Sequence, residues 1–422
     1  MPRESVLVVG AGILGLSAAH FLAQKGLPVL VLEREAPLSC TSDKSTECYR
    51  VFWPGEESLA ALVAHGLEHL GPFAEAARMK PRGYLYLGRA EDLLALAQAA
   101  PHAGPLRVHR KAATYPEGAE EGMDLLLPGA LGEVFPYLAH LKARAGLHVR
   151  RAGWLSAQGL GMALLEALRA AGGRVVRGEF LGLEGKGSAL VRLEGKEEVW
   201  SFLALVLAPG PGLLPLLRGL DPGLPVAAEP HFKAWFPDPL RLFPREAPLL
   251  IWNEPGEIFS PEERALLAEA EDLAPLLGPL PPGAHGRPEG EGFLALYNPW
   301  PRAEEPRACG PTPPSWAGEV ALRGLFPILP GLRAYLGVRP RVDGGYYVRT
   351  PENLPLLGPV AEGVYLLAAF SGYGVMAALG AGEVLARMVL GEALPPWAYS
   401  FLPARYRDPG YRPQGAAARA QL

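Results

Sequence analysis

The chain has 422 residues, enough for two domains or one large one, and with 49% hydrophobic residues it can bury a sizeable core. A formal net charge of −4 supplies no broad basic field, which argues against nucleic acid or an anionic membrane as the main partner. The cysteines Cys40, Cys48 and Cys309 are too few and too scattered for a disulfide framework or a zinc cage, so a reducing, cytoplasmic setting is expected.

The N-terminus enters a strand by Val6, so no secretory leader is expected. Val6-Leu7-Val8-Val9 reads as a strand, Gly10-Ala11-Gly12-Ile13-Leu14-Gly15 as a tight turn opening a helix, and Val29–Leu32 as a second strand ending in Glu33. That is the context a dinucleotide-binding fingerprint requires. Gly10 permits the sharp turn, Gly12 lets the backbone approach a pyrophosphate, and Gly15 lets the helix pack on the strand. The helix N-terminus offers unpaired N–H groups to phosphates. Glu33, 18 residues after Gly15, is placed to bind ribose hydroxyls.

Farther along, a helical run is expected from Glu57 to Met79, a strand at Tyr84–Leu87 and a helix over Glu91–Ala100. Gly161–Ala171 is an amphipathic helix, Arg174–Val176 a strand, and Trp200–Ala208 an apolar strand running into Pro209-Gly210. Short strands are expected at His231–Phe236, Leu249–Trp252 and Phe293–Tyr297, with a proline-rich, acidic insertion at about 260–292. Residues 345–391 read as strand, turn, strand, glycine turn and long helix, and the tail after about 403 as poorly ordered. The apolar stretches 201–217 and 363–391 are broken by Pro209-Gly210-Pro211-Gly212, and by Ser371-Gly372, Glu383 and Arg387, so neither supplies the 20 or so apolar residues of a membrane span.

The expected fold is α/β: a Rossmann-like nucleotide-binding domain, discontinuous in sequence (1–80, 150–225 and 335–402). An inserted antiparallel-sheet substrate domain (81–149 and 226–334) and a tail (403–422) complete it. A split domain with an N-terminal fingerprint points to a flavoprotein.

The fingerprint with Glu33-Arg34, the strand into Ala208-Pro209-Gly210, and the block Gly345-Tyr346-Tyr347-Val348-Arg349-Thr350-Pro351-Glu352-Asn353-Leu354-Pro355-Leu356-Leu357-Gly358-Pro359 resemble the D-amino-acid oxidase/sarcosine oxidase superfamily of FAD enzymes. So does the continuation Ala369-Phe370-Ser371-Gly372-Tyr373-Gly374-Val375, whose helix N-terminus can face negative charge developing on the flavin N1/C2=O edge. The resemblance implies FAD held by Gly10, Gly12, Ile13, Leu14, Gly15, Glu33, Arg34, Ser42, Ser45, Thr46, Gly210, Gly345, Pro355, Gly372, Tyr373, Gly374 and Val375. It implies Arg50 as the arginine that pairs with a substrate carboxylate, a task suited to its planar fork. Tyr373 and Tyr297 are further catalytic candidates; Tyr297, Asn298, Trp252 and His231 lie on strands of the domain that roofs the flavin in this architecture.

Departures from the family matter. The cysteine and histidine that tether flavin in related branches would fall near Gly345 and Ser45–Cys48, so a non-covalent cofactor is expected. Met376 stands where the sarcosine oxidase branch has a carboxylate-holding lysine, and Arg339, Arg341 or Arg349 are candidates to replace that cation. A lysine implicated in oxygen activation would fall near Ala295, so inefficient transfer to oxygen is expected; the candidate acceptors are oxygen, a quinone, an electron-transfer flavoprotein or a partner subunit. Outside the resemblance, His65-Gly66-Leu67-Glu68-His69 spells H-x-x-E-H with both histidines on one helix face, yet Gly66 weakens the helix and no third ligand is indicated, so no metal is expected. The expected function is hydride transfer to flavin from the C–N carbon of a small amino acid, secondary or N-methylated. The alternatives are an accessory FAD protein or dehydrogenase subunit, and an FAD enzyme acting on a 2-hydroxy acid.

Overall fold

The fingerprint strand, Val6–Val9, is buried on both faces at the centre of a six-stranded sheet, which explains its unbroken apolar run. Val29–Glu33 and Ala204–Leu207 flank it in parallel, Arg174–Arg177 and Val364–Ala368 lie outside these, and Leu356–Ala361 closes one edge antiparallel. The computed structural model describes residues 5–220, 223–269, 273–308 and 310–413, which leaves Cys309 and residues 414–422 outside.

Alternation along the strands assigns each face. Val6, Val8 and Val31 pack in a core with the helices Ile13–Gln24, Glu57–Glu68, Ala157–Ala170 and Gly374–Leu390. Leu7, Val9 and Leu32 face a second core shared with a three-stranded antiparallel sheet of Glu179–Leu183, Ser188–Leu193 and Lys196–Ser201. Small residues bring the helices close: Ser17 Oγ donates to the Ala378 carbonyl at 2.8 Å, and a Cβ at Gly382 would lie 2.3 Å from Ser17 Oγ.

A nine-stranded, mostly antiparallel sheet forms the other half. Its order is Arg341–Arg349, Ala227–Pro237, Gly292–Leu296, His285–Glu289, Leu249–Trp252, Tyr84–Gly88, Ala145–Val149, Met123–Leu126 and Leu106–His109. Arg341–Arg349, assigned by the sequence boundaries to the nucleotide-binding segments, pairs along its whole length with Ala227–Pro237. The two-stranded pairing of Cys48–Arg50 with Ala152–Trp154 lies between the large sheets in sequence and sets the backbone of Arg50.

Several expected elements differ. The run from Glu57 ends as a helix at Glu68, and Gly71-Pro72-Phe73 forms a 3-10 turn, because proline cannot donate into a continuing helix. Trp200–Ala208 is two strands, ending at Ser201 and restarting at Ala204, as the chain passes from the small sheet to the six-stranded one. The insertion at 260–292 contains the helix Pro261–Leu267, started by a Ser260/Glu263 capping box, and the strand His285–Glu289. The first part of the tail is ordered: Pro403–Arg407 is a 3-10 turn, and half-buried Arg405 donates to Glu352 at 2.9 Å and to the Leu354 and Pro355 carbonyls. Among the described residues no helix is long and apolar enough to cross a membrane.

Candidate active site

The three fingerprint glycines have different surroundings. Gly10 adopts φ +99°, and a Cβ there would lie 2.3 Å from the Ala208 carbonyl oxygen. A Cβ on Gly15 would lie 1.9 Å from the Gly10 carbonyl oxygen. Both are glycine because backbone is in the way. A Cβ on Gly12 would meet nothing nearer than Ser42 Oγ at 3.4 Å, so that position is bare without a packing reason. Its cradle fits a diphosphate group approaching the backbone.

The polar groups of the turn converge. Ala11 N–H donates to Glu33 Oε2 at 2.6 Å, and Ile13 N–H donates to Ser42 Oγ at 3.0 Å. The half-buried side chain of Leu14 lies 3.9 Å from where a Cβ of Gly374 would stand, so the two helix N-termini meet although 360 residues separate them. Gly210, at φ +54°, opens the turn that follows Ala204–Leu207, next to Gly10's neighbour Pro209. Gly345 lets its strand approach Thr41 and Lys44; a Cβ there would lie 2.8 Å from Thr41. Gly372 leaves room for the Tyr347 ring, 2.3 Å from a would-be Cβ. Val375 is buried in the helical core, and the Pro355 carbonyl is held by Arg405 at 3.0 Å. Arg34 stands apart: half exposed, its nearest carboxylates are Glu35 and Glu179, each at 3.8 Å.

A cavity of about 260 Å³ opens between this framework and the nine-stranded sheet. Ser45, Thr46, Arg50, Tyr373 and Tyr297 all line it, with His231, Asn298 and Met376. Trp252 does not. Arg50 is 5% exposed; its Nε donates to the Phe52 carbonyl at 2.9 Å, and its guanidinium lies 4.3 Å from the Trp53 ring centroid. Tyr373 presents its ring here, while its hydroxyl donates to the Asn353 carbonyl at 2.7 Å. Tyr297 donates to the Pro281 carbonyl at 2.7 Å, which fixes the Pro281-Pro282-Gly283 wall and leaves this tyrosine a positioning part rather than a free acid.

Of the three arginines considered as substitutes for the cation at Met376, only Arg349 lines the cavity; Arg341 stacks over Trp235 at 5.2 Å, and Arg339 is not among the lining residues. Arg349 sits 3.3 Å from Glu229, whose other neighbour is His231 at 3.9 Å. The strand Gly292–Leu296 presents Leu296 to the cavity and buries Ala295 in the core behind it. Lys233, opposite Leu296 in register, donates instead to the Asp43 carbonyl; burial pushes its ammonium pKa down, against the pull of Glu47 and Asp43.

Sequence reasoning missed His285. Its strand, His-Gly-Arg-Pro-Glu, lacks apolar alternation, so nothing marked it. Burial pushes its imidazole pKa down to about 4, with nearby Arg50 adding to the shift. Its Nδ1 is 2.9 Å from the Gly283 carbonyl oxygen, which can only accept. The proton is therefore on Nδ1, and Nε2 carries a lone pair. His231 stacks on Tyr347 at 3.9 Å; burial lowers its pKa too, opposed by Glu229. The cavity thus combines a buried cation with two neutral imidazoles.

A family model described as FAD dependent oxidoreductase matches residues 5–388. L-proline dehydrogenase from P. horikoshii superposes with a TM-score of 0.74 at 18% identity, covering 97% of this chain and 99% of that one. Glycine oxidase from Geobacillus kaustophilus gives 0.70 at 16% identity, covering 94% and 97%. NikD, an amino acid oxidase essential for nikkomycin biosynthesis, gives 0.68 at 17% identity, also covering 94% and 97%. A comparison with curated protein sequences returns no match. With a family model spanning nearly all of the chain and a fingerprint whose one unobstructed glycine leaves space for a diphosphate, the chain belongs to the FAD-dependent oxidoreductase family of the D-amino-acid oxidase type, with FAD as its non-covalently held cofactor.

Proposed function

We propose that this protein dehydrogenates the carbon–nitrogen bond of a small amino acid, with a secondary or N-methylated amine, and that Arg50 receives the substrate carboxylate. The observation that carries this reading is Arg50 itself, a buried guanidinium in the wall of a cavity small enough for one amino acid. A planar fork in a dry site suits a carboxylate and gives it a fixed orientation.

The remaining walls fit the rest of such a substrate. Trp53, Tyr347, Tyr373 and Met376 exclude water and accept an aliphatic portion. The Nε2 lone pair of His285 accepts an N–H from the amine and, being neutral, favours the uncharged amine that must be present before hydride can leave. Bound FAD supplies the hydride-accepting ring. The chain's own residues orient the carbon next to nitrogen, hold the carboxylate and keep the amine neutral; the imine product then hydrolyses in water.

A second reading, an accessory FAD protein, is favoured by Met376 in the position of the family's lysine. The two readings separate on Arg50. In the dehydrogenase, Arg50→Ala loses a charge-assisted contact worth about 2–5 kcal/mol, roughly 30- to 5,000-fold in kcat/KM. Arg50→Lys is impaired too, because an ammonium cannot reproduce the fork. Unchanged kcat/KM in Arg50→Ala would sink the assignment. The acceptor we take to be other than oxygen, since the strand Gly292–Leu296 offers the cavity no charge. Equal reoxidation rates with oxygen and with a dye, with peroxide formed, would overturn that.

A further inference from the structure

We propose that His65, His69 and Glu383 form a binding site for a zinc-class divalent cation that fastens the helix Glu57–Glu68 to the helix Gly374–Leu390. The third ligand that the H-x-x-E-H spelling lacked comes from the far end of the chain. Each of the three residues offers one donor atom, and these atoms lie within 4.8 Å of one another. His65 Nε2 and Glu383 Oε2 are already 2.9 Å apart. Zinc bonds of about 2.0–2.1 Å in a tetrahedron set donors roughly 3.3 Å apart, so small side-chain adjustments bring the three donors to bonding distance.

Local packing explains why the groups converge. His65 and His69 are four residues apart and share a helix face. The glycine between them, which weakens the helix in isolation, is what lets the two helices touch. A Cβ on Gly66 would lie 2.9 Å from Gly380 N, and a Cβ on Gly380 would lie 2.4 Å from the Leu62 carbonyl oxygen. Glu383 follows Gly380 by three residues and so rises on the same face, one turn along.

The second observation is an orphan. His69 Nε2 is buried and has no hydrogen-bond partner, a costly state unless something occupies it. The surrounding groups match a metal site's outer shell. The Glu68 carboxylate is 3.6 Å from His65 Nδ1, where it would hold the proton on Nδ1 and leave Nε2 to the metal. Arg387 Nε donates to Glu383 Oε1 at 2.7 Å, engaging one carboxylate oxygen and leaving Oε2 toward the histidines. The cation would replace the single proton now shared between His65 Nε2 and Glu383. Two carboxylates and one guanidinium with a divalent ion leave the cluster with a single net positive charge, and water takes the fourth position. Two imidazoles and one carboxylate select zinc or its neighbours over calcium or magnesium.

The site is separate from the cavity. Glu383 lies seven residues, about 10 Å along the helix, from the cavity-lining Met376. A metal here braces the helix whose N-terminal Tyr373 and Met376 line the cavity. The test uses full-length, FAD-loaded protein, stripped with a chelator and dialysed against micromolar zinc chloride, with metal measured per chain. One zinc per chain is expected, lost in His69→Gln and in Glu383→Gln while the flavin spectrum is retained. The cobalt-substituted wild type provides a reading that does not depend on the variants folding: intense, low-coordinate visible bands are expected. No zinc above background, zinc unchanged in both variants, or only the weak absorption of hydrated cobalt would each overturn the proposal.

Discussion

Gly12→Val separates the cofactor reading of the fingerprint from a packing reading. Gly12 is extended, at φ −73° and ψ 177°, a conformation valine adopts without strain. A Cβ there clears the protein backbone, its nearest neighbour being Ser42 Oγ at 3.4 Å. The apoprotein should therefore keep its stability to within about 0.5 kcal/mol. Bound FAD would have to accommodate three extra carbons between its diphosphate and the backbone. Overpacking of that kind costs about 1–3 kcal/mol or more, roughly 5- to 150-fold in affinity. Gly15→Ala is the contrasting control: its Cβ would lie 1.9 Å from a backbone carbonyl, so the fold itself should weaken. The assay is FAD reconstitution of each apoprotein, followed by flavin fluorescence, alongside thermal melts. Full FAD affinity in Gly12→Val, or a melt as depressed as that of Gly15→Ala, would refute the assignment.

Two further predictions concern stability. Asp124 is fully buried and receives Arg107 at 2.6 Å, His109 at 2.8 Å and Arg150 at 2.5 Å, which, against the cost of burial, hold its carboxyl down to about 2. Asp124→Asn leaves the Arg107 and Arg150 guanidinium groups uncompensated and should cost about 3–5 kcal/mol in denaturant unfolding; a loss below about 1 kcal/mol would contradict the buried network. Burial holds His148 down to about 3 and His285 down to about 4, whereas both bind a proton near pH 6.5 when unfolded. The unfolded state therefore takes up more protons below that pH, and stability should fall by about 1.4 kcal/mol per pH unit per histidine as pH drops from about 6.5 toward 4. His148→Gln should flatten this slope by one proton's worth, and an unchanged slope would show that His148 is not buried neutral.

Much of the nucleotide-binding half is legible because its signals are local. A buried parallel strand, a glycine turn and an acid at the end of the next strand all fall within residues 6–33. The C-terminal helix announces itself through Phe370–Gly374 in the same way. The cavity is less legible, because its far wall comes from a sheet whose strands are distant in sequence. His285 sits in a strand interrupted by glycine and proline, and only its pairing with Leu249–Trp252 and Gly292–Leu296 brings it to the site. In a strand one residue reverses the face: Leu296 reaches the cavity while Ala295 packs behind it, a distinction that an approximate placement near Ala295 does not make. The tail misled for a compositional reason. Arginine, proline and small residues after Pro403 look unstructured, yet Arg405, Tyr406 and Tyr411 converge on buried Glu352, a partner fifty residues earlier that no local pattern reveals.

The central claim is that a small amino acid delivers its electrons to this protein's flavin. The most direct test is to mix the FAD-loaded protein anaerobically with single amino acids, including sarcosine, dimethylglycine, proline and glycine, and with 2-hydroxy acids as controls, and to follow the flavin absorbance. The account predicts bleaching by at least one secondary or N-methylated amino acid, abolished or strongly slowed in Arg50→Ala. Bleaching by hydroxy acids alone, or by none of the panel while dithionite reduces the flavin normally, would contradict it.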